Sequence, residues 1–147
     1  MTVGRMCNRK VTVVKASDTL GEAAHVMITN NVGSAVVVEK QDQVLKPIGV
    51  VTDRDIVRTQ LKRASDLYCL SVAEAMTPNP LCFEAHELVV DVLSRMRARG
   101  VRRAPVIDRG GALVGIVTLD DLLGLLAEEL MMLAGVIARQ APIAKAA

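Results

Sequence analysis

The chain has 147 residues, with 18 basic and 16 acidic side chains and a formal charge of +2. That length can bury most of its apolar surface as one domain or as two small units packed intimately, and the balanced charge excludes a surface built to hold a polyanion. Hydrophobic residues make up 51%, yet there is no Trp, one Tyr and one Phe, so the core must be aliphatic and a ligand would be held by aliphatic surfaces and not by aromatic stacking.

Cys7, Cys69 and Cys82 are odd in number and lack C-x-x-C spacing, which points to reduced thiols in a cytosolic protein. Cys82 lies in an apolar strand pattern and is expected in the core. No apolar run approaches the ~18 residues of a membrane span, and the N-terminus lacks the apolar region of a signal peptide. The expected location is therefore cytoplasmic, without a membrane.

In chain order, residues 1–10 carry Arg5, Arg9 and Lys10 without a clear period and read as a lead-in segment. Residues 11–14 form a short strand. From Thr19, the positions of Leu20, Ala23, Ala24, Met27 and Ile28 fall on one helical face, and Thr19 with Glu22 has the spacing of a capping box. A helix over about 19–30 follows. Asn30, Asn31 and Gly33 end it, and Ala35 to Val38 have the length of a buried strand. Polar residues 39–46 turn the chain into a strand at Ile48 to Val51, after which Ile56, Val57 and Leu61 give a second helical stripe. The first half thus reads β-α-β-β-α.

The second half repeats this order. A shift of 69 positions lays Ala16 on Ala85, Met27 on Met96, Ala35 on Ala104 and Val37 on Val106; beyond the hairpin a shift of 66 lays Gly49 on Gly115, Thr52 on Thr118 and Asp55 on Asp121. A shorter turn at Asp108 to Ala112 explains the change of offset, since surface turns tolerate insertion. Each half has too little core to stand alone, so the two should pack on each other about an approximate two-fold axis. The expected divisions are a first repeat at 5–62, a linker at 63–75, a second repeat at 76–130 and a helical extension with tail at 131–147. Leucines and methionines from Leu122 to Ile137 cover more than one helical face. About half of that surface is expected in the core and the rest in a subunit interface, so a homodimer is expected.

Each copy of the β-strand ends in Thr-x-x-Asp, at Thr52 and Asp55 and again at Thr118 and Asp121. Thr with an acid three residues later is a capping box, and capping alone could account for each turn. The same geometry suits a nucleotide: a helix N-terminus offers N–H groups to phosphate, and a carboxylate there can accept the hydroxyls of a ribose. Repetition of the turn in two matched units favours the nucleotide reading.

The two repeats resemble a tandem pair of cystathionine β-synthase (CBS) domains, the Bateman module, over about residues 5–130. The matching residues are Ala-Met-Thr-Pro-Asn-Pro at 75–80, Gly-Val-Arg-Arg-Ala-Pro-Val-Ile-Asp at 100–108 and the two Thr-x-x-Asp turns. The resemblance implies an α/β (α+β) fold of two β-α-β-β-α units with pseudo-two-fold symmetry and, in this chain, an extended C-terminal helix. It also implies a cleft with up to two adenosine-nucleotide sites, in which Asp55 and Asp121 bind ribose and Thr52 and Thr118 lie near phosphate or ribose. Adenine would sit among Lys10, Val11, Thr12, Ser34 and Ala35 in the first repeat, and Thr77, Pro80, Leu81, Arg103, Ala104 and Pro105 in the second. The ligand would be AMP, ADP or ATP, with NAD and S-adenosylmethionine as second choices.

Two departures separate the sites. Asn8 stands at the place of Thr77, and Arg54 has Asp120 as its counterpart. A guanidinium near a helix N-terminus can clamp phosphate and a second carboxylate repels it, so the turn at Thr52 is expected to be the better phosphate site. Arg95, Arg97, Arg99 and Arg102 read as a solvated face of the third helix and its end, whereas Arg103 precedes a buried strand and corresponds to Ser34.

Catalysis has little support. His25 and His86 belong to no nucleophile or metal constellation, and Gly110 with Gly111 is explained by a hairpin turn. The expected role is a non-catalytic sensor of adenine nucleotide acting on an effector protein, with a ligand-free dimerisation or docking module as the alternative. Direct contact with nucleic acid is not expected, since no reading element is present.

Overall fold

The structure, a computed structural model, describes residues 1–140; the last seven residues of the expected 131–147 extension and tail lie outside the described range. The elements run α1 (Val3–Met6), β1 (Val13–Lys15), α2 (Leu20–Thr29), β2 (Ser34–Gln41), β3 (Val44–Thr52), α3 (Asp53–Arg63), a 3-10 turn (Leu67–Cys69) and α4 (Val72–Ala75). They continue with β4 (Thr77–Pro78), β5 (Phe83–Glu84), α5 (Val89–Arg99), β6 (Arg103–Ile107), β7 (Leu113–Thr118) and α6 (Leu119–Gln140). This is the expected α+β pair of β-α-β-β-α units.

Local chemistry sets the helix starts and ends. Thr19 caps α2, accepting from Glu22 N at 3.1 Å while Glu22 Oε2 accepts from Thr19 N at 2.8 Å, so two donors left open by helix geometry are satisfied together. Leu20, Ala23 and Met27 then bury one face. In the second unit Val89, Val92 and Met96 do the same for α5, which ends at Gly100 with a φ of 62°, a left-handed conformation that glycine adopts at little cost.

Within each unit the middle and last strands form an antiparallel hairpin, and the short first strand lies parallel to the middle one. The bulges fall at equivalent places, between Val37 and Val38 and between Val106 and Ile107. Two aliphatic cores result: one around Val14, Leu20, Met27, Val37, Val51 and Ile56, the other around Phe83, Val92, Met96, Val106, Val117 and Leu122. Val36 and its equivalent Pro105 are also fully buried but belong to neither core. Strand alternation turns them to the opposite face, toward the seam where β3 and β7 meet.

The units are interlocked by exchanged segments. Residues 1–10, expected as a lead-in segment, contain α1, and its Val3 is fully buried in the second core. Leu70 and Val72, in the segment joining the repeats, are buried in the first. The hydrogen bonds repeat the exchange: Val3 N donates to Glu87 O at 2.9 Å and Val72 N to Asp18 O at 2.8 Å, while Gly4 N donates to Ala85 O and Ala73 N to Ala16 O. Beyond each helical turn the chain adds to the other unit's sheet. Thr77 pairs with Val50 through β4, and Asn8 pairs with Ile116.

Two expectations about burial change. Cys82 is only partly buried and Phe83 fills the core position instead, because alternation along β5 gives one inward side chain. In α6 Leu122 is buried, but the surface from Leu123 to Ile137 is largely exposed, since the helix continues past the sheet that could cover it.

Candidate ligand clefts

Two clefts open between the units, and each is built from both. The first, of about 510 Å³, is lined by Val50 and Thr52 of β3, by residues 77–81, and by Arg99, Val101, Arg102 and Arg103. The second, of about 420 Å³, is lined by Asn8, Lys10 and Thr12, by residues 31–34, by Arg102 and Arg103, and by Ile116, Thr118, Asp120 and Asp121. Both volumes fall in the range of small-molecule pockets, roughly 300–1,000 Å³. The sets correspond under the repeat: Thr77 to Asn8, Leu81 to Thr12, Val50 to Ile116, Thr52 to Thr118 and Arg103 to Ser34.

The first Thr-x-x-Asp turn folds as a full capping box and the second as its side-chain half, without the bond from the Thr backbone N–H to the carboxylate. Thr52 Oγ1 donates to Asp55 Oδ2 at 2.9 Å and accepts from Asp55 N at 3.1 Å, and Asp55 Oδ2 also accepts from Thr52 N at 3.0 Å. Thr118 Oγ1 donates to Asp121 Oδ2 at 2.6 Å and accepts from Asp121 N at 3.1 Å. The cap occupies one carboxylate oxygen and leaves the other, so capping and ligand binding are compatible uses of the same residues. Asp55 Oδ1 lies 4.0 Å from Arg58 Nη1.

Tertiary structure sorts the residues singled out in the sequence. Thr52 lies with Thr77, Pro80, Leu81 and Arg103 in the first cleft, and Lys10, Thr12, Ser34, Thr118 and Asp121 lie together in the second. Each turn therefore faces the strand segment of the other repeat. Asp55 lines an adjoining basin with Arg58, Lys62 and Glu74. Ala35, Ala104 and Pro105 are sealed in the interior, where their side chains cannot reach a ligand. Val11 is partly buried beside the second cleft's segment, and Arg54 is exposed and outside the lining of both clefts.

The two clefts differ in charge, and Arg54 takes no part in the difference. The first cleft carries the guanidiniums of Arg99, Arg102 and Arg103 and no carboxylate. The second sets Lys10, Arg102 and Arg103 against Asp120 and Asp121. Arg99, expected on a solvated helix face, reaches the cleft because α5 ends at its rim, and Asn79, Asn8 and Asn31 also line the clefts. The repeat offset alone could have found Asn8 and Asn79, as the neighbours or counterparts of Thr77 and Lys10.

Ser34 is 7% exposed, and its hydroxyl accepts a hydrogen bond from Arg103 Nη1 at 2.5 Å. The two residues are 69 apart and equivalent, so the contact sits at the pseudo-two-fold axis and separates the clefts. Arg102 also lines both clefts, but its side chain is 72% exposed and pairs with Asp120 at 3.6 Å. Outside the clefts, His25 and His86 are exposed. Among the described residues no cluster of His, Cys, Asp and Glu could hold a metal ion, and no helix is long and apolar enough to cross a membrane.

Two interlocked β-α-β-β-α units with a pair of equivalent clefts between them define a tandem-repeat α+β module. The chain belongs to the CBS domain family, whose model matches residues 3–62 and 72–128. A protein of Methanopyrus kandleri is 30% identical over 123 residues, covering 84% of this chain and 61% of its own length; the chain thus spans under two thirds of that relative. The CBS domain pair of protein MJ0100, solved with 5′-methylthioadenosine and S-adenosyl-L-methionine, superposes with a TM-score of 0.75 at 23% identity, covering 88% of this chain and 98% of that one. A CBS domain protein of Pyrobaculum aerophilum, solved with AMP, gives 0.73 at 24% identity, covering 83% and 90%. These likenesses establish the fold.

Proposed function

We propose that the chain is a non-catalytic regulatory module that binds an adenine nucleotide between its two repeats and passes occupancy to an effector protein. AMP, ADP or ATP is the ligand class, with NAD and S-adenosylmethionine as second choices. The observation that carries the reading is the composite first cleft. Aliphatic Val50, Pro80, Leu81 and Val101 suit a purine face, Thr52 and Thr77 suit ribose or phosphate, and three arginines suit an anionic tail. The AMP and S-adenosylmethionine complexes of the similarly folded proteins support the ligand class.

Because the wall residues come from both units, a ligand there binds one relative placement of the units better than another. That differential affinity is what a ligand needs in order to shift a conformational equilibrium. The shift changes the surface of α3 and α6, where Val57 and Leu123 are equivalent exposed apolar residues, and these helices are the proposed homodimer contact.

Thermal unfolding of the full chain with AMP, ADP, ATP, NAD or S-adenosylmethionine tests the assignment. A ligand at 100 times its Kd raises stability by about 2.7 kcal/mol, and Arg99→Ala is expected to lower the shift for AMP more than that for adenosine. No shift with any of the five would overturn the reading and leave a ligand-free dimerisation or docking module.

A further inference from the structure

We infer that Arg103 is a phosphate-binding residue shared between the two clefts, so that an anionic nucleotide in one weakens binding in the other. The inference rests on the nucleotide reading above and concerns its regulation. Arg103 lines both clefts and is partly buried, with Nη1 held by Ser34 Oγ at the wall between them. Its single charge and five donors lie on one rigid plane, so a guanidinium that turns to chelate a phosphate in one cleft offers less charge and fewer donors to the other.

The repeat leaves the two clefts with one partly buried cation at this place. Were the units identical, each cleft would carry its own residue at this place; here one is Arg103 and the other is Ser34, a neutral hydroxyl. A phosphate in the first cleft competes with Ser34 for Nη1 and draws the guanidinium to the Thr52 side. The second cleft is then left with Lys10 and the solvent-exposed Arg102 opposite Asp120 and Asp121. A second phosphate would enter a site in which acid offsets base. Adenosine, which carries no phosphate, makes no demand on Arg103 and is free of this coupling.

Calorimetric titration of the full chain with AMP and with adenosine tests it. The ratio of the second to the first stepwise Kd is expected to be about tenfold or more larger for AMP than for adenosine, within the usual range of coupling between sites. Arg103→Ser is expected to weaken the first AMP step and to bring the AMP ratio close to the adenosine ratio. Ser34→Ala, which removes the competing acceptor, is expected to tighten the first AMP step several-fold. The two variants therefore move it in opposite directions.

An AMP ratio unchanged in Arg103→Ser would overturn the inference, since repulsion between the two ligands would then suffice. Equal ratios for AMP and adenosine in the unmodified chain would overturn it as well. A single AMP bound per chain supports the inference if adenosine binds at two sites of the unmodified chain, and overturns it if adenosine also binds at only one. If neither AMP nor adenosine binds the unmodified chain, the nucleotide reading itself fails, and the inference falls with it.

Discussion

Gly49 and Gly115 begin the two strand segments that end in Thr-x-x-Asp, and close approach explains both. A Cβ on Gly115 would stand 2.5 Å from Cys7 Sγ and 3.1 Å from Asn8 O; one on Gly49 would stand 2.7 Å from Met76 Sδ and 3.1 Å from Thr77 O. The exchanged segments lie directly on these positions, so the glycines are the price of interlocking. Gly115→Ala should destabilise the chain by about 1–3 kcal/mol, the usual cost of overpacking, measured as a lower urea midpoint. Gly49→Ala should cost less, because the Met76 thioether can swing away on flexible torsions whereas the short, buried Cys7 side chain cannot. Equal costs would mean that the sulfur contacts do not govern the fit.

At the scale of elements, α6 is the part that the described residues leave uncovered. Leu123, Leu126, Leu130, Leu133 and Ile137 are 40–71% exposed, and their alternating spacing of three and four is that of a coiled-coil seam. An aliphatic stripe of this length in water favours pairing with a second helix of the same kind. Leu130→Glu combined with Leu133→Glu should therefore convert a dimer to a monomer in sedimentation velocity while leaving helix content unchanged. An unmodified chain that sediments as a monomer at tens of micromolar would sink the homodimer.

The whole molecule is two units that cannot be separated without opening both cores. Val3, from the start of the chain, is fully buried in the second core and Val72, from the connection, in the first. Unfolding should accordingly be a single transition with coincident spectroscopic probes. Val3→Ala and Val72→Ala should each lower that one transition by roughly 2 kcal/mol, the scale of a buried large-to-small change, although the residues lie in different units. Two resolved transitions, with each variant affecting only one, would show that the exchange does not couple the units.

Periodicity, caps and the repeat offset were enough to determine the β-α-β-β-α order, the pseudo-two-fold pairing and the capping boxes at Thr19 and Thr52, because these follow from contacts within a few residues or from similarity between the halves. The Thr-x-x-Asp pair was legible for the same reason. Which strand segment faces which turn was decided only in three dimensions, since Thr52 meets Thr77 and Thr118 meets Lys10 through crossings that no local pattern encodes. Tertiary structure likewise replaced Arg54 by Arg99, Arg102 and Arg103 as the cations of the first cleft. It also placed Arg103 against Ser34. A side chain's period along its own element fixes its face, but the neighbour it finds depends on how separate elements dock.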